Sequence, residues 1–240
     1  MCIRLFVVSA VLAVGLTSST GAATAAPTAS SSEKLPAKQL VRLHAQHAAA
    51  LQTIRFHRDK AWRWQRLLGR PLSKSSDFRK IKGLGYRRWA ANRWAELEAQ
   101  LRLAFYQQKT SQLRSLMGLP PSPALRTLQA SSLHTKRQNA WLWEKRAKRE
   151  YRRTQNPPHK AQWFCIHRYE GAWNDPNSPY YGGLQMDLEF QQTYGPELLK
   201  AKGTADNWTP IEQMWVAERA HRSGRGFYPW PNTARYCGLI

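Results

Sequence analysis

The stretch from Trp163 to Met186, WFCIHRYEGAWNDPNSPYYGGLQM, restricts the possible fold more than any other. Its first eight residues contain neither Gly nor Pro and read as a short helix. Gly171 can end that helix by taking the left-handed conformation that glycine tolerates. A single carboxylate, Glu170, then stands in the last turn, with Trp163, Tyr169, Trp173, Tyr180 and Tyr181 crowding its sequence neighbourhood. A carboxyl group among aromatic rings is poorly hydrated, which favours its protonated form, the state a general acid needs. After a polar turn over 174–179, the segment YYGGLQM sets Gly182 beside Gly183 and alternates Leu184 with Met186. That pattern predicts a tight β-hairpin whose backbone passes close to a ligand.

These residues resemble the transglycosylase-like domain of the resuscitation-promoting factors. In that family a catalytic glutamate is followed by a Tyr-x-Gly-Gly-Leu-Gln motif, here Tyr180, Gly182, Gly183, Leu184 and Gln185. Glu212-Gln213, Val216-Ala217-Glu218, Trp230-Pro231 and Cys237-Gly238 follow in the family's order, so the resemblance runs over 161–240. It implies a small lysozyme-like domain of α+β type with a short β-hairpin. It also implies cleavage of the glycosidic bond between N-acetylmuramic acid and N-acetylglucosamine in peptidoglycan, by a lytic transglycosylase or a muramidase. Glu170 would be the general acid and base, and Trp173, Tyr180, Tyr181 and Gln185 the substrate contacts, although Tyr180 can equally belong to the core. Ordinary glycosidases pair two carboxylates, and here Asp175 and Asp187 are weak candidates for the second. Glu218 reads more readily as a structural ion pair than as a catalytic group.

Two positions depart from the family pattern: Gly171 stands where the family has Ser, and Tyr169 where it has Cys. Cys165 lies one helical turn before Tyr169, on the same face, so a disulfide with Cys237 remains feasible.

Residues 1–25 read as an export signal: Arg4 supplies charge, Leu5 to Leu16 an apolar core too short to span a bilayer comfortably, and Ala23-Thr24-Ala25 a cleavage site. Residues 26–38 form a flexible leader rich in Ser, Ala and Pro. The mature chain is therefore expected to be secreted, extracellular or cell-wall associated. Export removes Cys2 and favours oxidation of the two cysteines left. A zinc site from Cys165, His167, His221 and Cys237 is the alternative, against which stands the tight Cys-x-His spacing. No HExxH, Walker loop or GxGxxG is present, so no metal or cofactor is expected.

Residues 39–155 read as a basic helical region. Over 39–66, Leu40, Leu43, His47, Leu51, Ile54 and Arg58 fall near one helical face, and Leu67-Leu68-Gly69-Arg70-Pro71 stops the helix. A second helical pattern from Ile81 carries Tyr86, Trp89 and Trp94. A shift of 49 residues brings that stop onto Leu116-Met117-Gly118-Leu119-Pro120, Ser73 onto Ser122, and Ala91 and Trp94 onto Ala140 and Trp143. These matches read as two diverged helix-turn-helix copies, over 52–100 and 101–149, packed as a small bundle. The expected fold class is thus mainly α, a basic bundle ahead of the small α+β domain. Asn156-Pro157-Pro158 marks the boundary between them.

Charge divides the chain in the same place. Of 37 Lys and Arg against 15 Asp and Glu, 30 and 7 precede Ala161. A basic region interleaved with Trp62, Trp64, Trp89, Trp94, Trp141 and Trp143 suits a polyanion. Export directs that expectation away from nucleic acid and toward peptidoglycan and anionic cell-wall polymers. The tryptophans fit a bundle core equally well. A non-catalytic cell-wall-binding protein with a degenerate cleft is the competing reading.

Overall fold

The computed structural model describes residues 36–74, 83–123 and 132–240. The export signal expected over 1–25 and most of the leader lie outside these residues, as does Ile81. The chain divides into two compact units, Met1–Val41 and Arg42–Ile240. Of the first, the description covers the opening turn of the first helix, where Gln39 and Leu40 donate their N–H groups to Pro36 O. The second carries everything that follows.

The class is mainly α, as expected. Among the described residues three long helices, α1 (Ala37–Leu67), α2 (Leu84–Leu116) and α3 (Leu133–Thr154), precede five short ones, α4 (Lys160–Glu170), α5 (Leu188–Tyr194), α6 (Pro196–Lys202), α7 (Pro210–Ala220) and α8 (Pro231–Tyr236). No described helix is long and apolar enough to cross a membrane.

The expected β-hairpin shrinks to one antiparallel bridge, Tyr181 with Met186. Gly182 and Gln185, at φ 73° and 49°, turn the chain back at once. Gly182 N–H then bonds Asp175 O instead of a partner strand, so no ladder extends beyond the single pair.

The buried face of α1 overlaps the face read from the sequence at Ile54, with Leu43, His47, Leu51 and Arg58 partly buried and Leu40 exposed, but its centre is shifted toward Ala50, His57 and Ala61. Ala50, Ile54, His57, Ala61 and Gln65 are buried, and Leu51 and Arg58 lie at the margin. Ala90, Ala91, Ala95 and Ala99 of α2 are buried as well, and small side chains let helices approach closely while large ones flank the contact. Ile54, Ala61, Ala90, Ala91, Trp94 and Leu101 form the apolar core here, with Leu51, Trp62, Trp64, Leu68 and Leu97 against it. α3 packs on α2 with Ala140, Trp143 and Ala147 buried, and ion pairs add to this: Arg102 with Glu144, Arg114 with Glu150 at 3.1 Å, and Lys136 with Glu96 at 3.4 Å.

The two Gly-containing stops are built alike. Gly69 and Gly118 take φ 63° and 61°. Arg70 N–H reaches back to Gln65 O, and Leu119 N–H to Arg114 O. Trp94 and Trp143, 49 positions apart, are both buried, as are Ala91 and Ala140. α2 runs unbroken through the boundary proposed between the copies at 100 and 101.

After Thr154 the chain breaks at Asn156-Pro157-Pro158 and enters α4. The core of this part comprises Trp163, Ile166, Leu184, Met186, Phe190, Trp208, Met214, Val216 and Trp230, together with three alanines. Asp187 caps α5, its Oδ1 accepting Phe190 N–H at 2.7 Å. The Thr209–Glu212 capping box opens α7 as read from the sequence. Burial alone would raise the carboxyl of Glu212, but the Lys202 ammonium and the Thr209 donors outweigh it and hold it below the ordinary carboxylate value.

The bundle and this part share a bonded seam. Arg219 of α7 donates to Ser115 O and Leu116 O, and Arg222 to Met117 O at 2.5 Å. Two guanidinium groups thus satisfy carbonyls at the C-terminus of α2, where the helix dipole favours cations. Trp215 of α7 makes a further tie, donating its indole N–H to Thr154 O at the end of α3 at 2.8 Å.

Candidate active site

Glu170 is the last residue of α4 and is only partly exposed. Its Oε1 accepts the Thr233 hydroxyl at 2.7 Å. Its Oε2 has no protein partner among the described residues, and it is not a buried orphan atom, so it meets solvent. Thr233 is positioned by α8, and α8 is tied to α4 by the disulfide Cys165–Cys237, with Cα atoms 6.0 Å apart. The expected bridge is therefore formed, and both sulfurs of the alternative zinc set are used in it. The covalent link holds the acid's helix against the helix that supplies its hydrogen-bond donor.

Gly171 does not end α4 in the left-handed conformation expected of it. Its φ is 167°, extended backbone open to any residue. A side chain here would have to displace the movable end of Gln185: a Cβ would lie 2.9 Å from Gln185 Nε2 and 3.3 Å from Asp175 Oδ2. Those two atoms are themselves bonded at 2.9 Å. Asp175 Oδ1 accepts from Asn177 N and Nδ2, so both oxygens of Asp175 serve the loop. It organises the turn beside Glu170 and offers no free second carboxylate.

Gly182 and Gly183 were expected to approach a ligand. They approach the protein's own side chains instead. A Cβ on Gly182, at φ 73°, would lie 2.6 Å from Gln213 Oε1, and one on Gly183 would lie 2.6 Å from His167 Nδ1 and 2.8 Å from the Trp173 ring. Gln213 is fully buried. Its Oε1 accepts Gly183 N–H at 2.9 Å, and its Nε2 donates to the carbonyls of Trp173, Ala205 and Trp208. One amide thus joins the glycine turn, the Trp173 loop and the 3-10 turn Ala205–Asn207.

The four expected substrate contacts separate into two pairs. Tyr180, half exposed, and Gln185 line a cavity of about 190 Å³ together with Asp187, Phe190, Arg225 and Trp230. The Nε2 of Gln185 is used on Asp175 and Gly182 O, which leaves its Oε1 as the available acceptor. Trp173 stacks on His167 with ring centres 4.0 Å apart, and Tyr181 packs against the core through the bridge; neither lines the cavity. Glu170 does not line it either. Gln185, packed on Gly171, and Trp230, whose carbonyl lies 3.4 Å from the Thr233 hydroxyl, connect the acid to it.

The aromatic neighbourhood of Glu170 is also redistributed. Trp163 is fully buried and turned toward Phe227 and Trp230. Two further rings belong to the helix ends near the acid: Tyr169, the residue before it, and Tyr236, one turn after Thr233. Their centres lie 5.8 Å apart, and both are more than half exposed. Tyr236 drew no notice in the sequence; its spacing of three from Thr233 is a signal only once Thr233 is known to hold the acid.

Glu218 is fully buried and accepts from His159 N at 2.7 Å, from His159 Nδ1 and from Trp163 Nε1 at 2.8 Å. It staples the start of α4 to α7, which is structural work. His221 stacks on His159 with ring centres 4.1 Å apart. Burial and the neighbouring His159 lower its proton affinity, and the Glu218 carboxylate opposes them in part. Comparison of the chain with family models, with curated proteins and with solved structures found no match.

Proposed function

We propose that the part of the chain from Ala161 to Ile240 is a lysozyme-like, peptidoglycan-cleaving unit of lytic transglycosylase or muramidase type, acting on the bond between N-acetylmuramic acid and N-acetylglucosamine. The observation that carries this reading is the state of Glu170: one oxygen held by Thr233, the other open to solvent. A proton on Oε2 can pass to the bridging glycosidic oxygen while Thr233 fixes the carboxyl plane. The resulting carboxylate then takes a proton from the attacking hydroxyl, which belongs to water in a hydrolase or to the muramyl sugar's own primary alcohol in a transglycosylase. Asp175 is committed to its loop and Glu218 to its staple, so the scheme uses one acid. Tyr169 and Tyr236 present rings to a sugar face, and Tyr180 and Gln185 line the adjoining cavity.

The chain is proposed to act outside the cell, at the wall, for which the disulfide and the basic bundle are support. Incubating the full chain with purified peptidoglycan and weighing the soluble products tests the reading. Release of anhydro-muramyl or reducing-end fragments is expected. Wall binding without release would favour the competing account, a non-catalytic cell-wall-binding protein.

A further inference from the structure

Away from the acid, where α1, α2 and α3 meet, alanines leave a second cavity. It has a volume of about 310 Å³, and Ala95, Ala99 and Ala140 form its small-residue wall. The polar groups reaching it are His57, Glu98, Lys60, Arg102 and Arg137. His57 and Glu98 are nearly buried and joined at 2.5 Å. The imidazole donates from Nδ1 to Glu98 Oε2 and accepts at Nε2 from Arg137 Nη2, 3.4 Å away. The guanidinium of Arg137 is thereby aimed by a group that is itself fixed.

The charge at this place is unbalanced. Arg102 is neutralised by Glu144, but neither Lys60 nor Arg137 has a carboxylate partner among the described residues. Lys60 Nζ lies over the exposed ring of Phe56, 4.0 Å from its centre, which holds the ammonium without discharging it. One further atom constrains the occupant. Glu98 Oε1 has no protein partner among the described residues and is not a buried orphan, so it can accept a hydrogen bond from what enters. A fully ionised anion would be repelled by that oxygen. A molecule bearing both an anionic group and a hydroxyl satisfies the cations and the carboxylate together.

We propose that this three-helix junction binds a phosphate ester of a polyol or sugar. Lys60 and Arg137 hold the phosphate, and Glu98 Oε1 accepts a neighbouring hydroxyl. On the wall-directed reading above, the natural source is an anionic wall polymer; the site itself does not depend on that reading, and its test involves no cleavage.

The test is titration of the full chain at low salt with glycerol 1-phosphate, inorganic phosphate, glycerol, and a single-stranded DNA of matched charge, followed by calorimetry and by the Cε1–H resonance of His57. Glycerol 1-phosphate is expected to move that resonance saturably. The Lys60→Gln/Arg137→Gln double variant, changed only at exposed groups, should bind it about tenfold or more weakly, as expected when charge-assisted bonds are lost. Inorganic phosphate should bind more weakly than the ester, and glycerol should not bind. Equal affinity of wild type and double variant, or a static His57 resonance, would overturn the site. Inorganic phosphate binding as tightly as the ester would overturn the role of Glu98, and DNA moving the His57 resonance equally would overturn the choice of ligand.

Discussion

Trp163 donates its indole N–H to Glu218 Oε1 at 2.8 Å, across 55 residues of chain. The same oxygen takes the backbone N–H of His159, so a single buried carboxylate sets where α4 begins and how it lies on α7. Removing it strands three donors in a fully buried place. Glu218→Ala is therefore expected to cost about 3–5 kcal/mol, the range for breaking a buried, hydrogen-bonded charge. Urea unfolding of the two proteins checks this, and a loss below about 1 kcal/mol, the size of an ordinary surface change, would contradict the staple.

His221 makes this region sensitive to acid. Its proton affinity is lowered in the fold by burial and by His159, with Glu218 opposing, and Phe227 and Trp163 complete its surroundings. As pH falls through the ordinary histidine value of 6.5, the unfolded chain takes up a proton that the folded chain refuses. Stability present above that pH is then lost on the way down. His221→Asn should flatten this part of the profile. Melting temperatures of both proteins between neutral and mildly acidic pH provide the measurement, and parallel profiles would contradict it.

The sequence disclosed local punctuation well and lateral contacts poorly. The Gly stops after α1 and α2 and the break at Asn156-Pro157-Pro158 are written in consecutive residues, and each lies where the sequence put it. Leucine spacing locates the buried side of α1 through Ile54 but not its centre, because close helix packing also buries Ala50 and Ala61, whose small side chains give little hydrophobic signal. Glu170 and the cysteine pair could be singled out from residue type and spacing. Thr233 could not, because its importance rests on a contact 63 residues away, and Gln213 stood out only within the Glu212-Gln213 match, its bond to the glycine turn spanning 30 residues. The stacking of Trp173 on His167 could not be foreseen either, since the two meet only through the fold.

The two glycines near the acid should respond differently. Gly182→Ala combines a positive φ with a Cβ 2.6 Å from the buried Gln213 amide. A loss of about 2 kcal/mol or more is expected, since the backbone strain alone accounts for 1–2. Gly171→Ala meets the movable end of Gln185 on extended backbone, so stability should fall by about 1 kcal/mol or less, near the net worth of the displaced Gln185–Asp175 bond. Denaturation curves of both variants decide, and equal losses would contradict the distinction.

Arg219 donates to Tyr194 O, Ser115 O and Leu116 O and pairs with Glu197 at 2.9 Å. Arg219→Ala should destabilise the chain by about 1–3 kcal/mol, more than a surface ion pair is worth, because two part-buried carbonyls lose a charged donor. A chain starting at Ala161 should melt below the full chain for the same reason, since α2 no longer covers α7. Calorimetric scans of the three proteins test this, with coincident melting as the contrary result.

Glutamine at position 170 keeps the shape of the acid and its bond from Thr233 but has no proton to give. The direct measurement is the initial rate of soluble glycan release from purified peptidoglycan by the wild-type chain and by Glu170→Gln, with melting curves to show that both are folded. A loss of about two to four orders of magnitude, the usual contribution of a positioned general acid, is expected, with wall binding retained. A folded Glu170→Gln chain releasing glycan at the wild-type rate would contradict the account.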